Sequence, residues 1–288
     1  MGEKKVENNE WRKAFALILK KGGRKMDKDL PIAVFDSGIG GISVLSELLK
    51  ILPKEDFIYF GDRANAPYGI RSAEEVRALT VKNFELLLAR GIKAFVIACN
   101  TATSVAVKTL RERYPDLVII GVEPALKPAA LCAEHPTVAV LATPLTLKET
   151  KFSELLKRYS DTAHVIPFAC AGLVELIERG VSEGEELESF LSELLSPLQD
   201  KNLDCAVLGC THYPLIKDAI GRVLGERVKL FDGGYGTARE TRRRLEEIGA
   251  LETSNKKGRV VFIDSNYPDS DAPEESMLRK FGEKYLCL

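Results

Sequence analysis

The chain has 288 residues, of which 45% are apolar and 29% charged, the mix of an ordinary globular protein long enough for a large core and roughly two domains. Lys and Arg number 41 against 42 Asp and Glu, so the net charge is −1, which argues against broad charge-driven nucleic-acid binding. No apolar run approaches the ~18 residues of a membrane helix, and the six cysteines show neither a CxxC pair nor a preceding export signal, which reads as a cytoplasmic protein with reduced thiols.

Residues 1–28 carry nine Lys and Arg against four Asp and Glu, and Trp11 to Lys21 reads as a short basic amphipathic helix. A solvated extension is the plain reading; a regulatory or membrane-surface role is the alternative. From Pro31 short apolar runs alternate with amphipathic helical runs. Strands are predicted at 32–35, 57–60, 94–98, 117–121, 138–141, 164–166, 205–208, 228–231 and 259–263. Most are uniformly apolar, as strands covered by helices on both faces must be. Ser72/Glu75, Thr146/Glu149 and Ser182/Glu185 fit the capping box, and Gly91 and Gly180 sit where helices end. The alternation predicts an α/β protein with mostly parallel sheets.

A weak repeat divides the chain. Ile32-Ala-Val-Phe-Asp36-Ser37 is echoed by Val138-Ala-Val-Leu-Ala142-Thr143, and Ala94-Phe-Val-Ile-Ala-Cys99-Asn100-Thr101 by Cys205-Ala-Val-Leu-Gly-Cys210-Thr211-His212. Two similar lobes are expected. Ligands bind at the carboxyl ends of parallel strands, so the lobes would set Cys99 and Cys210 on opposite walls of one cleft.

Asp36-Ser37-Gly38-Ile39-Gly40-Gly41 follows a strand and opens a helix. Ser43 stands where a dinucleotide fingerprint needs its third glycine, and Asp36 would repel a phosphate. A small zwitterion held by Ser37 and loop amides fits better. At a helix start, Cys99 is placed for the helix dipole to lower its pKa. Asn100 and Thr101 offer neutral hydrogen bonds to a carboxylate. His212 can support Cys210 or protonate a departing group. Pro67-Tyr68-Gly69 alone is a turn. Glu175, on an apolar helical stretch, is an ion-pair partner or a site residue. Cys132, Cys170, Cys205 and Cys287 read as structural. Inverting a carbon acid needs a base on one face and an acid on the other, and a thiolate–thiol pair supplies both. No metal, flavin or pyridoxal motif is present, so no cofactor is expected.

The ordered set 34–41, Pro67-Tyr68-Gly69, 98–103, Gly121-Val-Glu-Pro124, Leu141-Ala142-Thr143 and 209–214 resembles the cofactor-independent glutamate racemases. The resemblance implies two pseudo-symmetric α/β lobes with the cleft between them: residues 29–122 plus 231–288, and residues 123–230, after the extension at 1–28. It implies interconversion of L- and D-glutamate, which supplies peptidoglycan synthesis. Cys99 would act on the D-isomer and Cys210 on the L-isomer, assisted by Asp36 and His212 respectively, with Glu175 supporting His212. Substrate contacts would be Asp36, Ser37, Tyr68, Gly69, Asn100, Thr101, Thr211 and His212. A homodimer is expected, with no membrane or nucleic-acid partner and no metal. The basic extension resembles that of members activated by a cell-wall precursor, which makes such an effector a candidate partner. Two departures stand out: Asp232-Gly233-Gly234 where the family usually has Asp-Ser-Gly, and Cys170-Ala171-Gly172 in place of a Pro-containing stretch. An aspartate or other amino-acid racemase, a Cys210–His212 hydrolase and a catalytically silent binding protein on the same fold are the alternatives.

Overall fold

In the computed structural model, residues 27–267 and 270–287 are described; the predicted Trp11–Lys21 helix lies outside them. In chain order the first part contains β1 (Ile32–Asp36), α1 (Ile42–Ile51), β2 (Phe57–Gly61), α2 (Ala73–Ala89), β3 (Ala94–Ile97), α3 (Asn100–Arg113) and β4 (Val118–Gly121). Next come α4 (Leu126–Ala130), β5 (Thr137–Ala142), α5 (Pro144–Lys148), α6 (Thr150–Lys157), β6 (His164–Ala169), α7 (Leu173–Glu178), α8 (Glu185–Leu195), β7 (Cys205–Leu208), α9 (Lys217–Leu224) and β8 (Lys229–Asp232). The chain then returns through α10 (Gly234–Glu247), β9 (Val260–Asp264) and α11 (Met277–Leu286).

All nine predicted strands form. They make two all-parallel sheets, ordered β4-β3-β1-β2-β9 and β6-β5-β7-β8. β6 runs to Ala169, three residues beyond its predicted end, and takes in Pro167. The proline costs little there because β6 is an edge strand. β8 includes Phe231 and Asp232, so the second sheet extends past the expected return at residue 231.

Side chains alternate between the faces of each strand. In the first sheet Ala33, Phe35, Phe95, Ile97 and Ile119 pack under α2 and α3. Their neighbours Ile32, Val34, Val96 and Ile120 face Ile42, Leu45 and Leu48 of α1 and Ala238 and Leu245 of α10. That second cluster runs on without a break into the other lobe, through Ala139, Leu141, Ala206 and Leu208 to α7, α8 and α9. The lobes therefore share one core. A third cluster, with Val138, Val140, Cys205 and Val207, fills the outer face of the second sheet under α4 and α6.

The helix starts follow local chemistry in part. Ser72 and Glu75 form the reciprocal capping box. Gly91 and Gly180 have positive φ at helix ends. The helix expected from Thr146 starts earlier: Thr143 caps it, accepting from Thr146 N, and Pro144 takes the first helical position, where its missing N–H costs nothing. Gly184, not Ser182, precedes the first turn of α8, and no side chain caps it. Gly233 explains itself: a Cβ there would run into the Glu123 carbonyl and Val122, so the serine usual at this point would need the backbones to part.

Candidate active site

The site lies where β1 and β3 of one sheet and β7 of the other end. Asp36, the last residue of β1, is fully buried. One carboxylate oxygen accepts from Gly38 N (2.8 Å) and the other from Thr211 Oγ1 of the opposite lobe (2.9 Å). Burial raises its pKa above the usual carboxylate range, against the opposing pull of His212 and of these hydrogen bonds.

Cys99 caps α3, accepting from Ala102 N at 3.4 Å, and its Sγ lies 3.6 Å from Ser37 Oγ. The helix start does hold the sulfur, but the expected lowering of its pKa does not occur. Burial, then the charge of Asp36, pushes the thiol up to about 12, and the Ala102 hydrogen bond offsets only part of that. Cys210 also contributes to the rise.

Cys210 lies 3.7 Å from His212 Nδ1, and the other ring nitrogen is 2.6 Å from Glu178 Oε1. Burial alone would lower the His212 pKa. Hydrogen bonds to Cys210 and Glu178, with the charges of both, outweigh it and raise His212 well above its ordinary value. Burial likewise pushes Glu178 up, but His212, Ile39 N and Arg63 together bring it below the usual range. The pair is therefore a buried imidazolium–carboxylate.

The contact with His212 expected of Glu175 is made by Glu178. The two stand three residues apart on α7, about 60° around the helix and ~4.5 Å along it. Glu178 ends α7 against the Asp36–Gly41 loop and accepts from Ile39 N at 2.7 Å. Glu175 instead lines a shallow surface hollow with Gly172, Arg179, Phe190 and Glu193. Glu178 also meets Arg63 Nε (3.4 Å), whose Nη1 reaches Asp264 (3.4 Å). It is a carboxylate between the lobes, and the sequence reading missed it, together with Arg63.

Gly38 and Gly40 do not have positive φ; close approach is what requires them. A Cβ on Gly38 would enter the Glu178 carboxylate, and one on Gly40 would enter the His212 ring. Tyr68 is buried, but its hydroxyl donates to Asp62 (2.6 Å), which Asn83 and Asn65 also hold. Only its ring and backbone are left to face a ligand. Gly69 packs against Thr143 across the cleft. Thr101 meets Thr143 (3.0 Å) and Thr146 (3.2 Å), a buried triangle of hydroxyls spanning both lobes. Asn100 is buried, with no hydrogen-bond partner for its Oδ1. The structure thus links Asp36, Ser37, Cys99, Cys210, Thr211 and His212 in one set, while the Thr101 hydroxyl joins Thr143 and Thr146 beside it and Asn100 lines a hollow with Thr103, Val122 and Thr146. Among the described residues no three His, Cys, Asp or Glu side chains form a metal-binding group.

A polar cluster that buries two thiols, two carboxylates and an imidazolium between two lobes is an acid–base site. The profile of the Asp/Glu/Hydantoin racemase family matches residues 34–241. A glutamate racemase of Clostridium perfringens (strain ATCC 13124) is 49% identical over 238 residues, 83% of this chain and 92% of that protein. The glutamate racemase of Francisella tularensis, solved with D-glutamate, superposes with a TM-score of 0.76 at 32% identity, covering 91% of this chain and 95% of that one. The Escherichia coli glutamate racemase, solved with L-glutamate and the activator UDP-MurNAc-Ala, gives 0.72 at 34% identity over 82% and 88%. The chain belongs to the Asp/Glu/Hydantoin racemase family.

The ion pair makes a prediction. Because His212 is raised, its contribution to stability is full below its unfolded pKa of ~6.5 and is lost as pH rises through the higher folded value. Because Glu178 is lowered, its contribution is full above its unfolded value and is lost as pH falls through the depressed one. Glu178→Gln should remove most of the His212 contribution. The melting-temperature gap between wild type and variant should be widest in mildly acidic to neutral solution and should narrow toward alkaline pH. Turnover should fall about tenfold to a hundredfold in both directions, because each uses Cys210 either to take or to give a proton; this is the scale of a misplaced catalytic group. A flat gap across pH with unchanged turnover would show that the pair does not hold His212.

Proposed function

We propose that the protein interconverts L- and D-glutamate without a cofactor, by proton transfer through two thiols. The observation that carries this is the pair Cys99 and Cys210, each two residues beyond a strand end, on lobes that the Thr211–Asp36 hydrogen bond joins beside them. In the L-to-D direction the Cys210 thiolate, beside the His212 imidazolium, removes the Cα proton. The electron pair passes into the carboxylate as an enediolate, and the Cys99 thiol delivers its proton to the opposite face. The high pKa of Cys99 suits that second step, since the sulfur keeps its proton at neutral pH. Each turnover leaves the proton on the other sulfur, and the D-to-L direction reverses the order. A substrate ammonium beside Asp36 supplies the positive charge that lets Cys99 act as base. Asp36, Ser37, Tyr68, Gly69, Asn100, Thr101, Thr211 and His212 contact the substrate. The unpartnered Asn100 Oδ1 fits this reading, because a buried unsatisfied polar atom costs ~1–3 kcal/mol until a ligand pairs it.

The use expected of this reaction is supply of D-glutamate to peptidoglycan in the cytoplasm, by a homodimer, with a cell-wall precursor as effector. Its first test is circular dichroism of L-glutamate with enzyme dialysed against a chelator. The rotation should decay to zero, and L-aspartate should remain unchanged. Loss of activity restored by a metal or by pyridoxal phosphate, or a faster reaction with aspartate, would overturn the proposal.

A further inference from the structure

Two other cysteines stand apart from this chemistry. Cys132 follows α4, and Cys205 opens β7 on the outer face of the second sheet, among Val138, Val140, Val207 and Phe152. Their sulfurs are 3.1 Å apart. Neither is bonded to the other or to a further cysteine; both are free thiols. Cys205 is buried and also lies 3.4 Å from the Ala129 carbonyl. Cys132 is half-buried, so a small solute reaches it first. Packing alone gives no reason for two thiols in direct contact, since a single Cys or an alanine would fill the same layer.

We propose that Cys132 and Cys205 are a second, non-catalytic dithiol that a peroxide closes into a disulfide. The Cys132 thiolate attacks one peroxide oxygen: an S–O bond forms, the O–O bond breaks, and the departing hydroxide takes up a proton to become water. The Cys205 sulfur then displaces the oxygen from the Cys132 sulfenic acid. An S–S bond forms, the S–O bond breaks, and the hydroxide that leaves takes the Cys205 proton as a second water. The two sulfurs lose two electrons and the peroxide gains them. Burial and the contact with Cys132 raise the Cys205 pKa, so the more exposed Cys132 meets the peroxide first, and Cys205, 3.1 Å away, attacks second, giving up its proton to the leaving hydroxide as it does so.

The bond would join residues 73 apart and enclose β5, α5, α6, β6, α7 and α8. It would tie the first helix after the crossover between lobes to the strand that leads into Cys210. Closing so long a loop takes freedom from the unfolded chain and stabilises the lobe. The site lies on the sheet face opposite the shared core.

The test treats the full chain with one to two equivalents of hydrogen peroxide, alkylates the remaining thiols and digests without reductant. Mass spectrometry should find the Cys132 peptide linked to the Cys205 peptide, and dithiothreitol should release it. The oxidised protein should melt about 5 to 10 °C higher than the reduced one. Cys132→Ser should abolish both the link and the shift, and Cys205→Ala should do the same. Reduced Cys132→Ser should keep racemase turnover within twofold of wild type. The proposal fails if Cys132 goes to sulfinic or sulfonic acid with no link, or if the link runs through exposed Cys287 instead. It also fails if the link forms without a change in melting temperature, or if reduced Cys132→Ser loses activity, which would place the pair in the catalytic machinery.

Discussion

Cys99→Ala and Cys210→Ala should each stop racemisation in both directions. Every turnover in either direction uses one sulfur to take a proton and the other to give one, so no route survives the loss of either. A single positioned acid or base is worth ~10² to 10⁴ in rate, and the loss should be at least that large. The variants should nevertheless fold and bind. Both sulfurs are small and almost fully buried, and removing one leaves a cavity smaller than a lost Leu would. Ser37, Asn100, Thr101 and Thr211 remain to hold glutamate. Turnover measured beside calorimetric binding separates the two outcomes: kcat collapses while the dissociation constant changes little. A variant retaining more than about a tenth of wild-type turnover would remove that cysteine from the acid–base pair.

Lys93→Ala should be the most destabilising single substitution outside the cleft. Lys93 is fully buried at the start of β3 and forms an ion pair with buried Glu55, between α1 and β2. Its ammonium also donates to the Lys28 (2.6 Å) and Ala250 (3.1 Å) carbonyls, and Glu55 accepts from Glu252 N (2.9 Å). The pair thus ties the first strands to the returning C-terminal segment. Removing the lysine leaves the Glu55 carboxylate buried without a counter-charge, which costs ~3–5 kcal/mol. At ~2–4 °C per kcal/mol for a chain of this size, the melting temperature should fall by roughly 10 °C. Glu55→Gln added to Lys93→Ala should recover part of the loss, because the orphaned charge is gone. A fall of only a degree or two in the single variant would mean that water or a shifted side chain satisfies Glu55.

Most strands were legible because helices cover both faces of the inner strands, and a fully covered strand must be uniformly apolar; the edge strands β6 and β8 stay partly exposed. The two cysteine units were legible because strand, small residue, Cys and two polar residues recur at nearly one spacing. What escaped was contact between lobes, which no local pattern encodes. Glu178 is the clearest case. Glu175 and Glu178 share one apolar helix, and spacing does not say which meets His212. One signal was available: a carboxylate in the last turn of a helix opposes the helix dipole, so Glu178 needed a partner elsewhere. Gly38 and Gly40 stand in a legible strand-to-helix junction, but the groups that require them, Glu178 and His212, lie far along the chain. The Cys99 pKa failed for a different reason. The dipole is local and visible, whereas burial and the Asp36 charge arise only when β1 and β3 pair and the chain packs around them. Likewise nothing in the sequence joins Cys132 to Cys205.

The account rests on two sulfurs that each own one face of the substrate carbon. Racemisation started from protiated L-glutamate in D₂O tests this directly, with the isomers separated and their Cα isotope content read at a few per cent conversion. If Cys210 removes the proton and Cys99 supplies its replacement, D-glutamate formed early carries solvent deuterium at Cα, while recovered L-glutamate stays largely protiated. Starting from D-glutamate gives the mirror result. Early product that is mostly protiated would mean that one base returns the same proton to the opposite face, and the two-thiol assignment would be wrong.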